Sequence, residues 1–417
     1  MTSMSPNLAL NEQVARLRAD GRAIVHLGFG ESRLPAFGPL VEQLCAGAGR
    51  NAYGPVAGSP DALASTAGWF ARRGLPTDPD QVMLGPGSKP LLMALNLVLP
   101  GDVLLPRPCW NSYAPQARLA GKRVWGVPIP VSCGGIPDPA ALRTTIGRAR
   151  REGGDPRIVV LTLPDNPTGT LAGADLVREV CAVAEAEDLT IVSDEIYRDV
   201  MHVPDAPFLS PAEVVPHRTV VTTGLSKSLA VGGWRVGALR VPPGDDAGRR
   251  LREGLIGVAS DMWSTLSGPL QQVAAYAFAD PPEIRARLAA SARLHGAVAR
   301  AVHAAVVAAG AHCRPPTGAF YVYPDFEPVR AALRLRGVND SASLARHLLD
   351  ELGLAVLAGH LLGDDPQALR FKAATSMLYG ETAEEQEAAL GAEDPLALPH
   401  VADTLIRVEE GFAKLTA

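Results

Sequence analysis

Lys227 lies in the stretch TTGLSKSLAVGGWRVG, residues 222–237, where small and apolar residues surround a single amine. Only five of the 39 lysines and arginines of the chain are lysines. A sequence that uses arginine so heavily keeps a lysine here, where an arginine could serve as a simple cation. A primary amine that loses its proton can condense with an aldehyde, which a guanidinium cannot do. The stretch therefore predicts a lysine that forms a Schiff base.

Three further polar residues could act on the same ligand as Lys227. Asp194 closes an apolar run, where an unpaired carboxylate is unfavourable, so we expect it to meet a cation or a strong donor such as a protonated pyridine nitrogen. Tyr197 follows three residues later, and Asn166 carries an amide that can donate to a phenolate oxygen. Together they predict a site for an aromatic, nitrogen-containing ligand.

Two larger side chains complete this set. Arg235 has the planar fork that suits a phosphate group, and it lies eight residues beyond Lys227. Trp110 offers an aromatic face on which a ring can stack.

The elements that would position these residues are short buried strands separated by helices. Apolar, β-branched runs predict strands at 157–164, 189–195, 218–226 and 236–242, and helical spacing predicts a helix at 173–189. Strands that are apolar on both faces indicate a mostly parallel α/β sheet of the seven-stranded type, covered by helices on both sides. Ligands bind beyond the carboxyl ends of such strands, which is where the candidate residues lie.

The last third of the chain has a different composition and a different order of predicted elements. An alanine-rich helix is predicted from about residue 283 to Gly310, and the β-α-β-β order after it predicts a smaller α+β domain. The N-terminal segment is too short to fold alone and is expected to pack on that domain. The predicted division is 1–45 for this segment, 46–285 for the large ligand-binding domain and 286–417 for the small domain with its interdomain helix.

The composition of the chain argues against several classes of protein. The chain has 417 residues, 47% of them hydrophobic, and a net charge of -5, which predicts a globular protein without the basic field of a nucleic-acid partner. No run approaches the length of a membrane span and no signal peptide is evident, so we expect a cytoplasmic protein. The five cysteines, Cys133 among them, lack CxxC spacing, and the nine histidines are scattered, so no metal is predicted.

Nine motifs together resemble one known family across nearly the whole chain. They are, in chain order, HLGFGES, NAYGPVAGSPDAL, LGPGSKP, RPCWNSY, LPDNPTGT, VSDEIYRDV, SKSLAVGGWRVG, PTGAFYVY and ALRFKAAT. In this order the sequence resembles the fold-type I, class I/II pyridoxal-phosphate-dependent aminotransferases of the aspartate aminotransferase superfamily. The resemblance implies pyridoxal 5'-phosphate as cofactor, and an L-amino acid and a 2-oxo acid as substrates.

The resemblance also implies a role for each candidate residue around the cofactor ring. Lys227 forms the internal aldimine and then moves a proton between the substrate α-carbon and the cofactor. Asp194 pairs with the pyridinium nitrogen, Tyr197 and Asn166 bond the phenolate oxygen, and Trp110 stacks on the ring.

The phosphate and the substrate are assigned in the same way. The phosphate is held by Gly87, Ser88, Lys89, Ser226 and Arg235. Tyr53 matches the tyrosine that reaches the phosphate of the neighbouring subunit, which implies a two-fold homodimer. Arg370 matches the arginine that binds the substrate α-carboxylate, together with Gly30 and Asn166.

Some positions depart from the family pattern or leave specificity open. Gly224 stands where many relatives have a phosphate-binding serine, Ala64 stands where an arginine is common, and His360 occupies a loop that could face the substrate. Asp261 could select a cationic side chain and Trp263 an apolar one, but an aspartate that begins a helix is usually an N-cap. The donor is not predicted.

Three functions remain open from sequence. The leading one is transamination. The second is another reaction of the same cofactor, such as elimination, cyclisation or oxidation, because the motifs bind the cofactor and the cofactor carries the chemistry. The third is a non-catalytic ligand sensor, which the complete set of Lys227, Asp194 and Arg370 argues against, and we expect no DNA-binding module before the enzyme-like region.

Overall fold

A computed structural model of the protein describes residues 4–129, 135–203, 206–244 and 246–416, and Cys133 lies outside these ranges. The strands are β1 Val25–His26, β2 Val82–Gly85, β3 Asp102–Arg107, β4 Val124–Pro128, β5 Pro156–Thr162, β6 Thr190–Asp194, β7 Thr219–Gly224, β8 Gly237–Arg240, β9 Tyr321–Val322, β10 Leu354–Ala355, β11 Leu357–Ala358 and β12 Phe371–Ala374. The helices are α1 Pro6–Ala19, α2 Gly38–Ala46, α3 Pro60–Arg72, α4 Ser88–Val98, α5 Tyr113–Leu119, α6 Pro139–Arg151, α7 Ala174–Ala186, α8 Pro211–Val214, α9 Leu225–Ser228, α10 Asp246–Met262, α11 Gly268–Ala279, α12 Pro282–Ala308, α13 Arg330–Arg334, α14 Ser341–Asp350, α15 Ala383–Gly391 and α16 Pro399–Thr416.

A seven-stranded sheet forms the centre of the large domain. Its strand order is β2-β8-β7-β6-β5-β3-β4, and β8 runs antiparallel to both of its neighbours while the other pairs are parallel. Successive residues of β5 face two different cores: Ile158 and Val160 pack on one side, and Val159 and Leu161 on the other. The predicted α/β sheet covered on both faces is therefore confirmed.

The smaller domain is built around α12, α16 and a three-stranded antiparallel sheet of order β11-β12-β9. Its core includes a stack of three phenyl rings from Phe326, Phe371 and Phe412, with centroids 5.8 to 6.4 Å apart. Val25 belongs to the same core, and β1 pairs with β10 in parallel. Both ends of the chain thus contribute to this domain, as predicted from sequence.

Helix α2, at the end of the predicted N-terminal segment, packs with helices beside the large sheet. Its Leu40 is fully buried in a core that includes Trp69 and Phe70 of α3, and α2 also packs against α11. These contacts belong to the large domain, because an apolar helix face lies with the core that removes it from water. The predicted boundary at residue 45 lies within this helix and stays a prediction.

Two negative findings apply to the described ranges. None of the helices there is long and apolar enough to cross a membrane. Within the same ranges, no group of three or more histidine, cysteine, aspartate or glutamate side chains is arranged to hold a metal ion.

Candidate active site

A cavity of about 400 Å³ opens beyond the carboxyl ends of the parallel strands. Three predicted residues reach it from the ends of strands: Asn166 follows β5, Asp194 ends β6, and Lys227 lies in α9 directly after β7. Ten of the predicted site residues line the cavity, namely Gly30, Ser88, Lys89, Trp110, Asn166, Asp194, Tyr197, Ser226, Lys227 and Arg235.

Asp194 is a buried carboxylate that is bonded by hydroxyl groups and meets no cation among the described residues. The hydroxyl of Tyr113 donates to its Oδ2 at 2.7 Å, and the hydroxyl of Thr222 donates to its Oδ1 at 3.2 Å. Burial raises the pKa of Asp194 to about 6, although both hydrogen bonds act in the opposite direction. A protonated ring nitrogen would stabilise the ionised form of this carboxylate.

The amine of Lys227 lies at the wall of the same cavity. Its Nζ donates a hydrogen bond to the carbonyl oxygen of Gly30 at 2.6 Å. Removal of the amine from water lowers the pKa of Lys227 to about 8, and the nearby Glu31 carboxylate opposes this shift. The amine can therefore lose its proton close to neutral pH, as a nucleophile or a base requires.

Tyr197 belongs to a chain of polar groups that also contains Tyr321, a residue with no role predicted from sequence. The Tyr197 and Tyr321 hydroxyl oxygens are 2.6 Å apart, and Asn166 Nδ2 donates to the Tyr197 hydroxyl at 3.4 Å. Asn166 Oδ1 is buried and has no hydrogen-bond partner among the described residues. Tyr113 was also missed, although both tyrosines lie within the quoted motifs, because a motif does not show which of its side chains points inward.

The predicted phosphate site has the shape of an anion cradle. Gly87 adopts a left-handed backbone conformation with φ +87°, and a Cβ at this position would overlap Nη2 of Arg235. Helix α4 begins directly after it, without a hydrogen bond from a capping side chain. Backbone N–H groups at such a helix start, together with the guanidinium, can bind an anion.

Gly224 has a structural reason for lacking a side chain. A Cβ there would lie 2.6 Å from the backbone oxygen of Val236, closer than real Cβ atoms approach. The serine of many relatives therefore does not fit at this position of the chain without a shift of the backbone.

Trp110 is held in place for stacking by two neighbours. Its ring meets Tyr113 edge to face, with centroids 5.1 Å apart, and Nζ of Lys89 lies 5.2 Å from its centroid. An aromatic ligand above Trp110 would thus find a ring of defined orientation.

Besides Gly87, two predicted residues, Tyr53 and Arg370, do not line the cavity. The side chain of Tyr53 is 89% exposed on the surface of the single chain. Arg370 pairs instead with two carboxylates: its Nε lies 2.8 Å from Asp325 and its Nη1 lies 3.4 Å from Asp364. Lys372, two residues further along the same strand region, lines the cavity.

The three residues with open roles also lie elsewhere. Asp261 is exposed near the C-terminal end of α10, so the interpretation that it begins a helix is wrong. Trp263 packs against the core beside α10. His360 Nδ1 lies 2.7 Å from the hydroxyl of Ser341.

The chain matches known proteins over most of its length. The family model "Aminotransferase class I and II" matches residues 27–382. The aspartate aminotransferase of Geobacillus stearothermophilus is 31% identical, over 93% of this chain and 96% of the relative. The aspartate/prephenate aminotransferase of Thermus thermophilus is 28% identical, over 85% and 88% respectively.

Among solved structures, the aspartate aminotransferase from Thermus thermophilus with maleate has a TM-score of 0.81 and 24% identity, covering 99% of this chain and 97% of the other. This likeness agrees with the fold described above. The family match extends over far more than half of the sequence and includes the strand ends that carry the cavity residues. The chain therefore belongs to the class I and II aminotransferase family and is an enzyme that transfers amino groups.

Proposed function

We propose that the chain uses pyridoxal 5'-phosphate, bound in the described cavity, to move an amino group from an L-amino acid to a 2-oxo acid. The proposal rests on one observation: a basic and an acidic side chain lie in the same cavity, and their pKa values are shifted in opposite directions. A lysine amine whose pKa is lowered to about 8 lies there with a buried carboxylate whose pKa is raised to about 6 and which contacts no described cation.

The described residues fit this cofactor. The phosphate would be held by Arg235, Ser226 and the N-terminus of α4. Because Gly87 has no side chain, the Arg235 guanidinium can lie beside the start of this helix. Asp194 would meet the ring nitrogen, Trp110 would cover one face of the ring, and Tyr197 and Asn166 would donate to the phenolic oxygen. When bound, the cofactor supplies an electron sink that stabilises negative charge at the substrate α-carbon.

The chain's own residues supply binding and proton transfer. Lys227 would hold the aldehyde group of the cofactor, and its Nζ would accept and return the proton at the substrate α-carbon. Burial disfavours the ionised form of Asp194, and a cation would stabilise it, so Asp194 would favour the protonated form of the ring nitrogen. The hydroxyls of Tyr113 and Thr222 fix the orientation of this carboxylate.

Substrates and assembly are proposed from the relatives. Two of them are named for aspartate, and the solved neighbour is named with maleate, a dicarboxylate, so L-aspartate is the first donor to test. The exposed Tyr53 supports a homodimer in which this side chain reaches the phosphate of the partner's site. A hydroxyl held at that place would add one donor to the phosphate.

The absorbance spectrum of the purified protein tests the proposal. Addition of L-aspartate, and then of a panel of other L-amino acids, without an oxo acid should convert a visible band to a shorter-wavelength one and release one equivalent of 2-oxo acid. Release of ammonia, or continued turnover without an acceptor, would indicate elimination or oxidation instead. Borohydride reduction followed by peptide mass spectrometry should place the cofactor on Lys227, and attachment to Lys89 or Lys372 would contradict the assignment.

A further inference from the structure

Lys372 is a buried cation in the cavity to which the proposed function gives no role. Its side chain is 1% exposed, and its Nζ lies 5.1 Å from the ring centroid of Tyr321. Among the described residues, the amine has one hydrogen-bond contact, at the distance limit of 3.5 Å to Asn7 Oδ1. No carboxylate of the described residues forms an ion pair with it, and the charge that acts most on it is the positive one of Lys227.

Arg370, in contrast, is already neutralised. Asp325 and Asp364 both contact its guanidinium, and both come from segments outside the cavity lining. At Arg370, a substrate carboxylate would compete with two negative partners. A carboxylate gains little from a cation whose charge is already balanced.

The alternation of side chains along β12 places Lys372 at the cavity. Phe371 and Ala373 point into the core of the small domain, so Lys372 between them points the other way, into the cavity. Side chains alternate along a strand, and residues two apart share a face at a spacing of about 6–7 Å. Arg370 directly precedes β12 and does not line the cavity.

We propose that Lys372, not Arg370, binds the carboxylate of the amino acid substrate. This inference rests on the proposed function, because it assigns an anchor within that same site. A buried, unpaired amine is unfavourable, and a substrate carboxylate would satisfy it with a charge-assisted hydrogen bond. The anchor lies on the same wall as Tyr321, whose hydroxyl contacts Tyr197.

Two surrounding features support this assignment. Asn7, near the start of α1, donates from Nδ2 to Asn111 Oδ1 at 3.2 Å, which turns its own Oδ1 toward Lys372. Burial lowers the pKa of Lys372 to about 7, and Lys227 acts in the same direction, so the empty site avoids part of the penalty of a buried charge. A bound anion would favour the protonated amine again.

Acetate and its neutral isostere acetamide provide probes that do not depend on which donor the enzyme uses. Binding to the purified holoenzyme is measured by calorimetry for the parent and for Lys372→Met, Lys372→Arg, Arg370→Gln and the surface control Lys414→Met. The parent should bind acetate roughly tenfold or more tightly than acetamide, as a charged hydrogen bond implies. Lys372→Met should remove this preference, Lys372→Arg should restore part of it, and Arg370→Gln and Lys414→Met should keep it.

Any of three results would overturn the inference: the preference for acetate survives in Lys372→Met, it is lost in Arg370→Gln, or it is absent from the parent. Cofactor content and the lysine found by borohydride mapping are measured on the same samples. Failure of the proposed function would appear there, independently of the acetate result.

A measurement on the parent protein covers the case in which Lys372→Met does not fold. An amine-reactive succinimidyl ester should acylate Lys372 at neutral pH, and acetate, but not acetamide, should slow that reaction. Equal rates of acylation in acetate and acetamide would contradict the assignment.

Discussion

Lys227 and Asp194 are ionisable residues of one cavity whose pKa values burial moves in opposite directions. Loss of water disfavours the charged form of each group, so the amine becomes less basic and the carboxyl less acidic. Such paired shifts are characteristic of residues that exchange protons with a ligand. The residue-scale predictions concern the two ends of the proposed ligand, its reactive carbon and its phosphate.

Lys227→Ala should abolish turnover while the cofactor stays bound without a covalent link. Loss of a group that transfers protons lowers the rate by about 100-fold to 10,000-fold, and loss of the covalent step adds to this. The half-reaction with L-aspartate, followed by stopped-flow absorbance, checks the prediction. The surface variant Lys414→Ala is the control, and parent-like rates in Lys227→Ala would remove Lys227 from the mechanism.

Gly87→Ala should weaken binding of the phosphate end of the cofactor. A methyl group would displace Arg235 from the cradle, and the φ of +87° adds strain of about 1–3 kcal/mol. Gly121→Ala is a matched control, since Gly121 has φ +75° and nothing within 4 Å of an added Cβ. Both variants should lose thermal stability, but only Gly87→Ala should lose affinity for inorganic phosphate and for the cofactor; equal affinities in the two variants would argue against the cradle.

At the scale of elements, α12 carries a histidine that links the stability of the fold to pH. His295 is 1% exposed, between the rings of Phe320 and Tyr379, and neither ring nitrogen has a hydrogen-bond partner among the described residues. Burial lowers the pKa of His295 from 6.5 to about 3. The unfolded chain therefore binds a proton at this position that the folded chain excludes.

The sign of the pH effect follows from this difference. Between pH 6.5 and about 3, the unfolded state binds more protons, so the free energy of unfolding decreases as pH falls, by about 1.4 kcal/mol per pH unit for one such group. His295→Leu should reduce that slope, as measured by urea unfolding at pH 7, 6 and 5. Identical slopes in parent and variant would show that His295 does not stay neutral in the folded chain.

At the scale of the whole molecule, the exposed ring of Tyr53 supports the proposed homodimer, in which a second chain completes the site. A tyrosine with 89% of its side chain in water gains nothing from burial until another surface covers it. In the proposed homodimer, the tyrosine of one subunit and Lys227 of the other would serve the same site.

Mixed dimers test this shared site. Tyr53→Phe should raise the cofactor concentration needed for half-maximal activity, while Lys227→Ala is inactive. Subunits of the two variants, mixed and reassociated, should form hybrid dimers with one intact site, so that parent-like cofactor affinity returns. Leu335→Ala, at a position that is 92% exposed, is the surface control. A mixture that behaves as the sum of its separate variants would mean that Tyr53 does not act across an interface.

Much of the cavity could be predicted because its residues lie at the ends of strands whose patterns are local. Asn166, Asp194 and Lys227 each follow an apolar run, and parallel strands bring their carboxyl ends to one edge of the sheet. Tyr113 and Tyr321 were not assigned, since their hydroxyl contacts join segments that are distant in sequence.

The sequence by itself determined two things. It showed which strands are buried on both faces, and which amine, carboxyl and amide side chains follow those strands. The proposed choice of Lys372 over Arg370 rests on the tertiary structure alone. The choice depends on Asp325 and Asp364, which neutralise the arginine from other parts of the chain. Charge pairing across such distances is a property of the folded packing, because a sequence pattern reports neighbours along the chain and not neighbours in space.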